Sequence, residues 1–389
     1  MTSALRSRRS LLGAFALAVL PVLAVAQSTI PSRLTDKELW QLNAEFSEPG
    51  GYFRSDNLLS NETGFQAVIP GLLEKLKPGG VYLGVGPEQN FTYIVALKPK
   101  IAVIFDIRRG NMVEHLMYKA LLETSADRAE FMSKLFSRAR PAGLDTASTA
   151  QQLFDAYNRA APDSALFRKN LVAIKDFLSK TKGFALGDSD SKTLDYIYAA
   201  FYGGGPQINY NYSSGGGGGG GGGGFGGGFG GGMPTYATLQ TATDTAGKNW
   251  AYLATEANFR WLKDFESKNL LIPVVGDFAG PKAIRTVGQY LKDHNAVVSA
   301  MYCSNVEQYL FRQDDDWSRF YRNIGTLPLD ANSSFIRSIS GGMRGVSPQG
   351  GFPRYGGRLA NVTSSMAETV KGFNEGKIQT YADIIMMSR

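Results

Sequence analysis

The segment from Val81 to Asp106 constrains the fold of this 389-residue chain more than any other. Val81-Tyr82-Leu83 is a short apolar run that breaks at Gly84-Val85-Gly86-Pro87. A helical spacing through Tyr93, Ile94 and Leu97 follows and stops at Lys98-Pro99; Ile101 to Phe105 is then continuously apolar and ends on Asp106. Strand, glycine turn, helix, strand, acid is the order of a βαβ unit, the crossover that two parallel strands require. Glycines at the first turn let the backbone bend sharply and approach a ligand, while the helix behind offers unpaired N–H groups and a positive dipole end. An acid about twenty residues on, at the tip of the next strand, stands where such folds grip a ribose diol. Capping the next helix and acting as a general base are the other uses open to Asp106.

The rest of the chain extends this pattern. Thr35 and Glu38 form a capping box ahead of Leu39, Trp40, Leu42 and Phe46, and Pro49-Gly50-Gly51 ends that helix. A second helical spacing covers Phe65 to Leu76. Residues 110–181 read as helical, with one start at Asp127 and Glu130, and Asp195 to Tyr202 adds a helix, so 110–205 is expected to be an all-α insertion. Ser213 to Met233 is nearly pure glycine, which loses the most backbone entropy on ordering and buries almost nothing; 206–235 is expected to be a disordered loop outside any site. Trp250 to Lys268 is helical, and Leu271 to Val275 is a strand leading into Gly276-Asp277-Phe278. A helix runs to about His294, and Ala296 to Tyr302 is a strand ending at Cys303-Ser304-Asn305. Ile336 to Ile339 is a further strand candidate, Gly341 to Gly357 a glycine-rich loop, and a helix and a strand over Ile378 to Ile385 close the chain. Strands alternating with helices predict an α/β fold, a mostly parallel, doubly wound sheet covered on both faces and carrying the all-α insertion. Residues 27–109 then hold the N-terminal helices and first βαβ unit, and 236–389 the second half of the core.

Residues 1–26 read as a secretory signal: Arg6, Arg8 and Arg9, then apolar Leu11 to Leu20, then Ala24-Val25-Ala26 before Gln27. A bilayer span takes roughly 20 apolar residues, so no stable membrane span is expected after cleavage, and the mature chain is expected to be periplasmic or secreted. Ser7 to Leu12 also resembles a twin-arginine signal, which leaves two export routes open. The net charge of +7 includes three leader arginines and is otherwise spread along the chain without a Lys/Arg tract, so nucleic acid is not an expected partner. Cys303 is the only cysteine; it forbids an internal disulfide and reads as a small buried hydrophobe. With it, His115 and His294 are too few for a His/Cys metal site, and neither stands at motif spacing from a nucleophile.

In open parallel sheets, ligands bind outside the carboxyl ends of the strands. Gly84, Gly86, Asp106, Asp277, Phe278, Ser304 and Asn305 all fall on that edge, although Asp277 and Asn305 each suit a helix cap as well. Glu88 and Asn90 open the first crossover helix. The third glycine that admits a pyrophosphate is missing, and Glu88 would repel a phosphate, so a small molecule with a positive amino group and a ribose suits the turn better than a dinucleotide. Arg54, Asp56, Asn57 and Asn61 form a polar cluster expected to line the same crevice, whereas Arg344, Arg354 and Arg358 read as a basic surface loop.

Four strings carry a family resemblance: GGYFRSDN from Gly50, YLGVGPEQNF from Tyr82, VGDFAGPKAIR from Val275 and SNVEQYL from Ser304. They resemble an uncharacterised bacterial protein family over most of the chain outside the leader and the glycine tract. The resemblance implies a Rossmann-like core similar to class I S-adenosylmethionine methyltransferases. It puts Gly84 and Gly86 in the cofactor turn, with Glu88 and Asn90 beside them, and Asp106 on the ribose. Arg54, Asp56, Asn57, Asn61, Asp277, Phe278, Ser304 and Asn305 would then face a substrate. The pattern departs at Leu83, where the methyltransferases carry an acid, and at Glu88, where they carry a glycine. Two functions stand side by side: an S-adenosylmethionine-dependent methyltransferase, and a non-catalytic ligand-binding or envelope interaction protein that retains the fold.

Overall fold

The computed structural model describes residues 28–210, 233–340, 346–349, 351 and 359–389; the segment expected to be a leader, nearly all of the glycine tract, Arg344, Arg354 and Arg358 lie outside them. The apolar runs at 81–85, 101–106, 271–275, 298–304 and 334–340 become five parallel strands, β1 (Val81–Val85), β2 (Ile101–Asp106), β3 (Leu271–Val275), β4 (Val298–Ser304) and β5 (Ser334–Ser340). A sixth, β6 (Leu359–Ser365), pairs antiparallel with β5 on the edge. The sheet order is β3-β2-β1-β4-β5-β6. Every residue of β2 and β3 is buried, as expected of parallel strands covered on both faces. The chain builds outward through β1, β2 and β3, then crosses back to lay β4 on the other side of β1. Crossovers that leave in opposite directions open a crevice at the carboxyl ends of β1 and β4.

One face carries the helical insertion. The helix Arg109–Thr124 is buried without a break from Asn111 to Leu122, because it is sandwiched between the sheet and an outer helical layer that includes Arg128–Phe136 and Asp188–Gly204. On the opposite flank, the predicted capping box is in place: Glu38 N donates to Thr35 Oγ1 at 3.1 Å and Thr35 N to Glu38 Oε2 at 2.6 Å, starting the helix Asp36–Phe46.

Two expectations fail. The strand expected over Ile378 to Ile385 is the helix Tyr381–Met387, opened by Thr380 and Asp383 in a capping box and burying Ile384 and Ile385. The last strand is β6, in which Asn361, Thr363, Ser364 and Ser365 break up the apolar positions and hide the strand signal. The helix read from Trp250 starts at Glu256, where Thr255 caps it.

The β5–β6 edge is tied to the cleft wall by a buried ion pair. Arg337 of β5 donates to Glu307 through Nε (2.5 Å) and Nη2 (3.1 Å) and to Ser364 of β6 through Nη1, and Tyr321 also donates to Glu307. Arg337 and Glu307 are 1% and 2% exposed, so removing either strands a charge in the core. Glu307→Leu should cost about 3–5 kcal/mol in chemical denaturation, and the double variant Glu307→Leu/Arg337→Met should recover much of that loss. A double variant no better than the single would contradict this.

Candidate functional site

The crevice at the switch point is a cleft with about 190 Å³ of internal space and a mouth open to solvent. Four strand ends supply it: Val85–Pro87 after β1, Asp106–Arg108 after β2, Gly276–Phe278 after β3 and Tyr302–Val306 around the end of β4. The loop before the core closes it with Tyr52, Phe53 and Asn57 to Glu62. Of the residues expected from sequence, Gly86, Asp106, Asn57, Asn61, Asp277, Phe278, Ser304 and Asn305 line this cleft. Arg54, Asp56, Gly84, Glu88 and Asn90 do not.

The glycine turn is held from behind. Asn90 Nδ2 donates to the carbonyls of Val85 (3.0 Å), Gly86 (3.2 Å) and Pro87 (2.8 Å), and its Oδ1 accepts from Tyr82 at 2.8 Å. Gly84 is glycine because a Cβ there would run into the Asn90 carboxamide, so its small size serves the anchor and not a ligand. Gly86, at φ +80°, is the residue that needs glycine's backbone freedom at the cleft surface. Asn90 thus holds the turn from behind and does not itself line the cleft.

Asp106 reaches the cleft with its charge already matched. Its Oδ1 accepts from Arg108 N (2.8 Å) and Nε (3.0 Å), and its Oδ2 from Arg108 Nη2 (2.8 Å). Burial works against the guanidinium charge, but the Asp106 carboxylate outweighs it and holds Arg108 above its ordinary value. Three of the roughly four acceptor positions of the carboxylate are thus used, which leaves one on Oδ2. Arg108 also donates to the Asp56 carbonyl, which turns that residue into a buttress.

Asp277 spends Oδ1 on the amide of Ala279 (2.9 Å), and burial raises its pKa from the ordinary value. The amides that open the helix Ala283–Asp293 are already taken by an acid, Glu48, whose carboxylate accepts from Asp277 N (2.7 Å), Lys282 N (3.1 Å) and Ala283 N (3.4 Å).

Sequence reasoning stopped one residue short of Glu62. This carboxylate lines the cleft at 1% exposure and accepts from Tyr302 OH (2.6 Å), Ser304 Oγ (2.6 Å) and Asn361 Nδ2 (2.7 Å). Those partners lie on β4 and β6, at sequence separations no local pattern exposes.

Glu88 faces the core behind the turn. Both its carboxyl oxygens are buried without a partner, and burial pushes its pKa up to about 8, so it carries no charge to repel a ligand at neutral pH. Glu114, on the adjoining helix, is raised well above its ordinary value by burial and then by Glu88. Burial lowers His115 to about 4; its Nε2 donates to the Gly86 carbonyl at 2.9 Å, fixing the neutral ring against the turn.

A raised carboxyl destabilises the fold as pH climbs, because the unfolded chain ionises near 4.5 while folded Glu88 keeps its proton until about 8. The lowered His115 acts in the opposite window, destabilising as pH falls from 6.5 through about 4. Glu88→Gln should therefore flatten the loss of stability across the upper window by a few kcal/mol, read from urea midpoints. A pH profile parallel to wild type would contradict the assignment.

No curated protein matches the chain. A family model described as a domain of unknown function (DUF7790) matches residues 58–175 and 233–381, which includes every strand end lining the cleft. These blocks span more than half of the sequence, and the chain belongs to the DUF7790 family.

Proposed function

We propose that the protein binds a small nucleoside-bearing molecule in the switch-point cleft, and that S-adenosylmethionine is the ligand whose chemistry suits it best. The observation that carries this reading is the convergence of the Gly86 turn, the open Oδ2 position of Asp106 and the apolar side chains of Ile107 and Phe278 in one cleft at the reversal of strand order. A ribose hydroxyl donates to Asp106, and a base lies against the apolar walls, with Asp277 as an acceptor for an exocyclic amine. The lining carries three carboxylates (Glu62, Asp106, Asp277) against one guanidinium (Arg108), which favours a cationic sulfonium ligand over a phosphate-bearing dinucleotide. Methyl transfer is the reaction such a ligand supplies, and the protein's part in it is to align donor and acceptor.

A second reading, a ligand-binding or envelope interaction protein without turnover, draws on one observation. The ribose acid is paired with Arg108, and no histidine is among the described lining residues. A leader over residues 1–26 would export the chain, and free S-adenosylmethionine is not expected outside the cytoplasm, which fits this second reading.

Calorimetric titration with S-adenosylmethionine, its demethylated product and NAD should give micromolar binding for the first two and none for the third. Asp106→Ala should weaken the nucleoside ligands by about tenfold or more. Absence of binding to both sulfur nucleosides overturns the proposal. Formation of the demethylated product with candidate acceptors separates the catalytic reading from the non-catalytic one.

A further inference from the structure

Glu62 is buried and lines the cleft, yet among the described residues it has no ion-pair partner; its three neighbours, Tyr302, Ser304 and Asn361, are all neutral donors. Three such bonds hold the carboxyl group in one orientation. The chain accepts backbone strain to supply one of them. Ser304 sits at φ +50°, a left-handed conformation that costs a non-glycine residue roughly 1–2 kcal/mol, at the point where the β4–β5 register shifts. Asp106, by contrast, already has Arg108. Glu62 is thus the deepest negative charge in the cleft that lacks a counter-charge among these residues.

The unfilled groups nearby share one polarity. Asn57 Oδ1 and Gln89 Oε1, both in the lining, are buried without a hydrogen bond, and so is Oδ1 of Asn361 beside Glu62. The Asn361 amide orientation follows from its partner, because only its NH2 can face a carboxylate. Unpaired buried acceptors cost free energy until a donor arrives, and a primary ammonium is three donors with no acceptor.

We propose that Glu62 is the receptor for a cationic primary amino group on the ligand, with the unfilled amide oxygens around the cleft as its further acceptors. This deepens the nucleoside reading by naming the other end of the molecule: an aminoalkyl or amino-acid tail. Tyr302 and Ser304 are positioning residues, since they touch Glu62 and aim it.

The test uses the purified full chain and two kinds of probe. Among nucleosides, S-adenosylhomocysteine carries the ammonium and methylthioadenosine lacks it; among non-nucleosides, 1-butylamine is paired with 1-butanol. Wild-type protein should bind each amine about ten- to a hundredfold more tightly than its amine-free counterpart. Glu62→Gln should abolish that preference, the amine of each pair losing more affinity than its amine-free counterpart. The fold should survive, because Asn361 can turn its amide over to accept from the new NH2, and circular dichroism checks this. If Glu62→Gln does not fold, the amine-over-alcohol preference of wild type remains the readout, and Ser304→Ala, which keeps the charge, should retain it within a few fold. Nucleosides binding with no amine preference overturns the role of Glu62 and leaves the nucleoside reading intact. Butylamine binding through Glu62 without any nucleoside binding overturns the nucleoside reading alone. No preference in either pair overturns the amine site.

Discussion

The Asn90 carboxamide is the contact on which the rest of the cleft depends. Its NH2 gathers three successive turn carbonyls and its oxygen takes the Tyr82 hydroxyl, so a single side chain shapes the backbone where β1 gives way to the crossover helix. Neutral His115 holds the Gly86 carbonyl from a second helix. With this turn set, Gly86 faces the cleft in a conformation only glycine adopts cheaply, and the ends of β2, β3 and β4 fall around it through the parallel register.

The acids of this region stand in three different surroundings. Glu88 and Glu114 are pushed toward neutrality behind the turn. Asp106 is paired with Arg108. Glu62 is held by three neutral donors from β4 and β6. On the proposed reading Asp106 meets the sugar and Glu62 the ligand's ammonium, while Glu88 and Glu114 lie behind the turn. Similar side chains thus stand in different surroundings, and the protein context sets them apart.

Much of the architecture was legible in the sequence because it rests on local signals. Apolar runs ending in Gly84-Val85-Gly86, Asp106, Gly276-Asp277 and Ser304-Asn305 marked the strand ends, and strand ends are where a doubly wound sheet puts its site. The capping box at Thr35 was equally plain. What escaped depended on distant partners. Glu62 lies 240, 242 and 299 residues from the groups that hold it, and nothing in its neighbourhood sets it apart. Glu88 carried a local signal that misled, since an acid at a helix start reads as facing solvent or ligand, and only the packing of the helix Arg109–Thr124 shows that it turns inward. β6 was missed and the closing helix was read as a strand, because polar residues break up the one while isoleucines crowd the other.

The most direct test of the central claim is backbone hydrogen exchange on the full chain with and without saturating S-adenosylhomocysteine. Added protection should concentrate at 85–90, 106–108, 276–278 and 302–306, four segments remote in sequence that meet only at the strand-order reversal. Protection confined to the outer helical layer, or none at all, would contradict it.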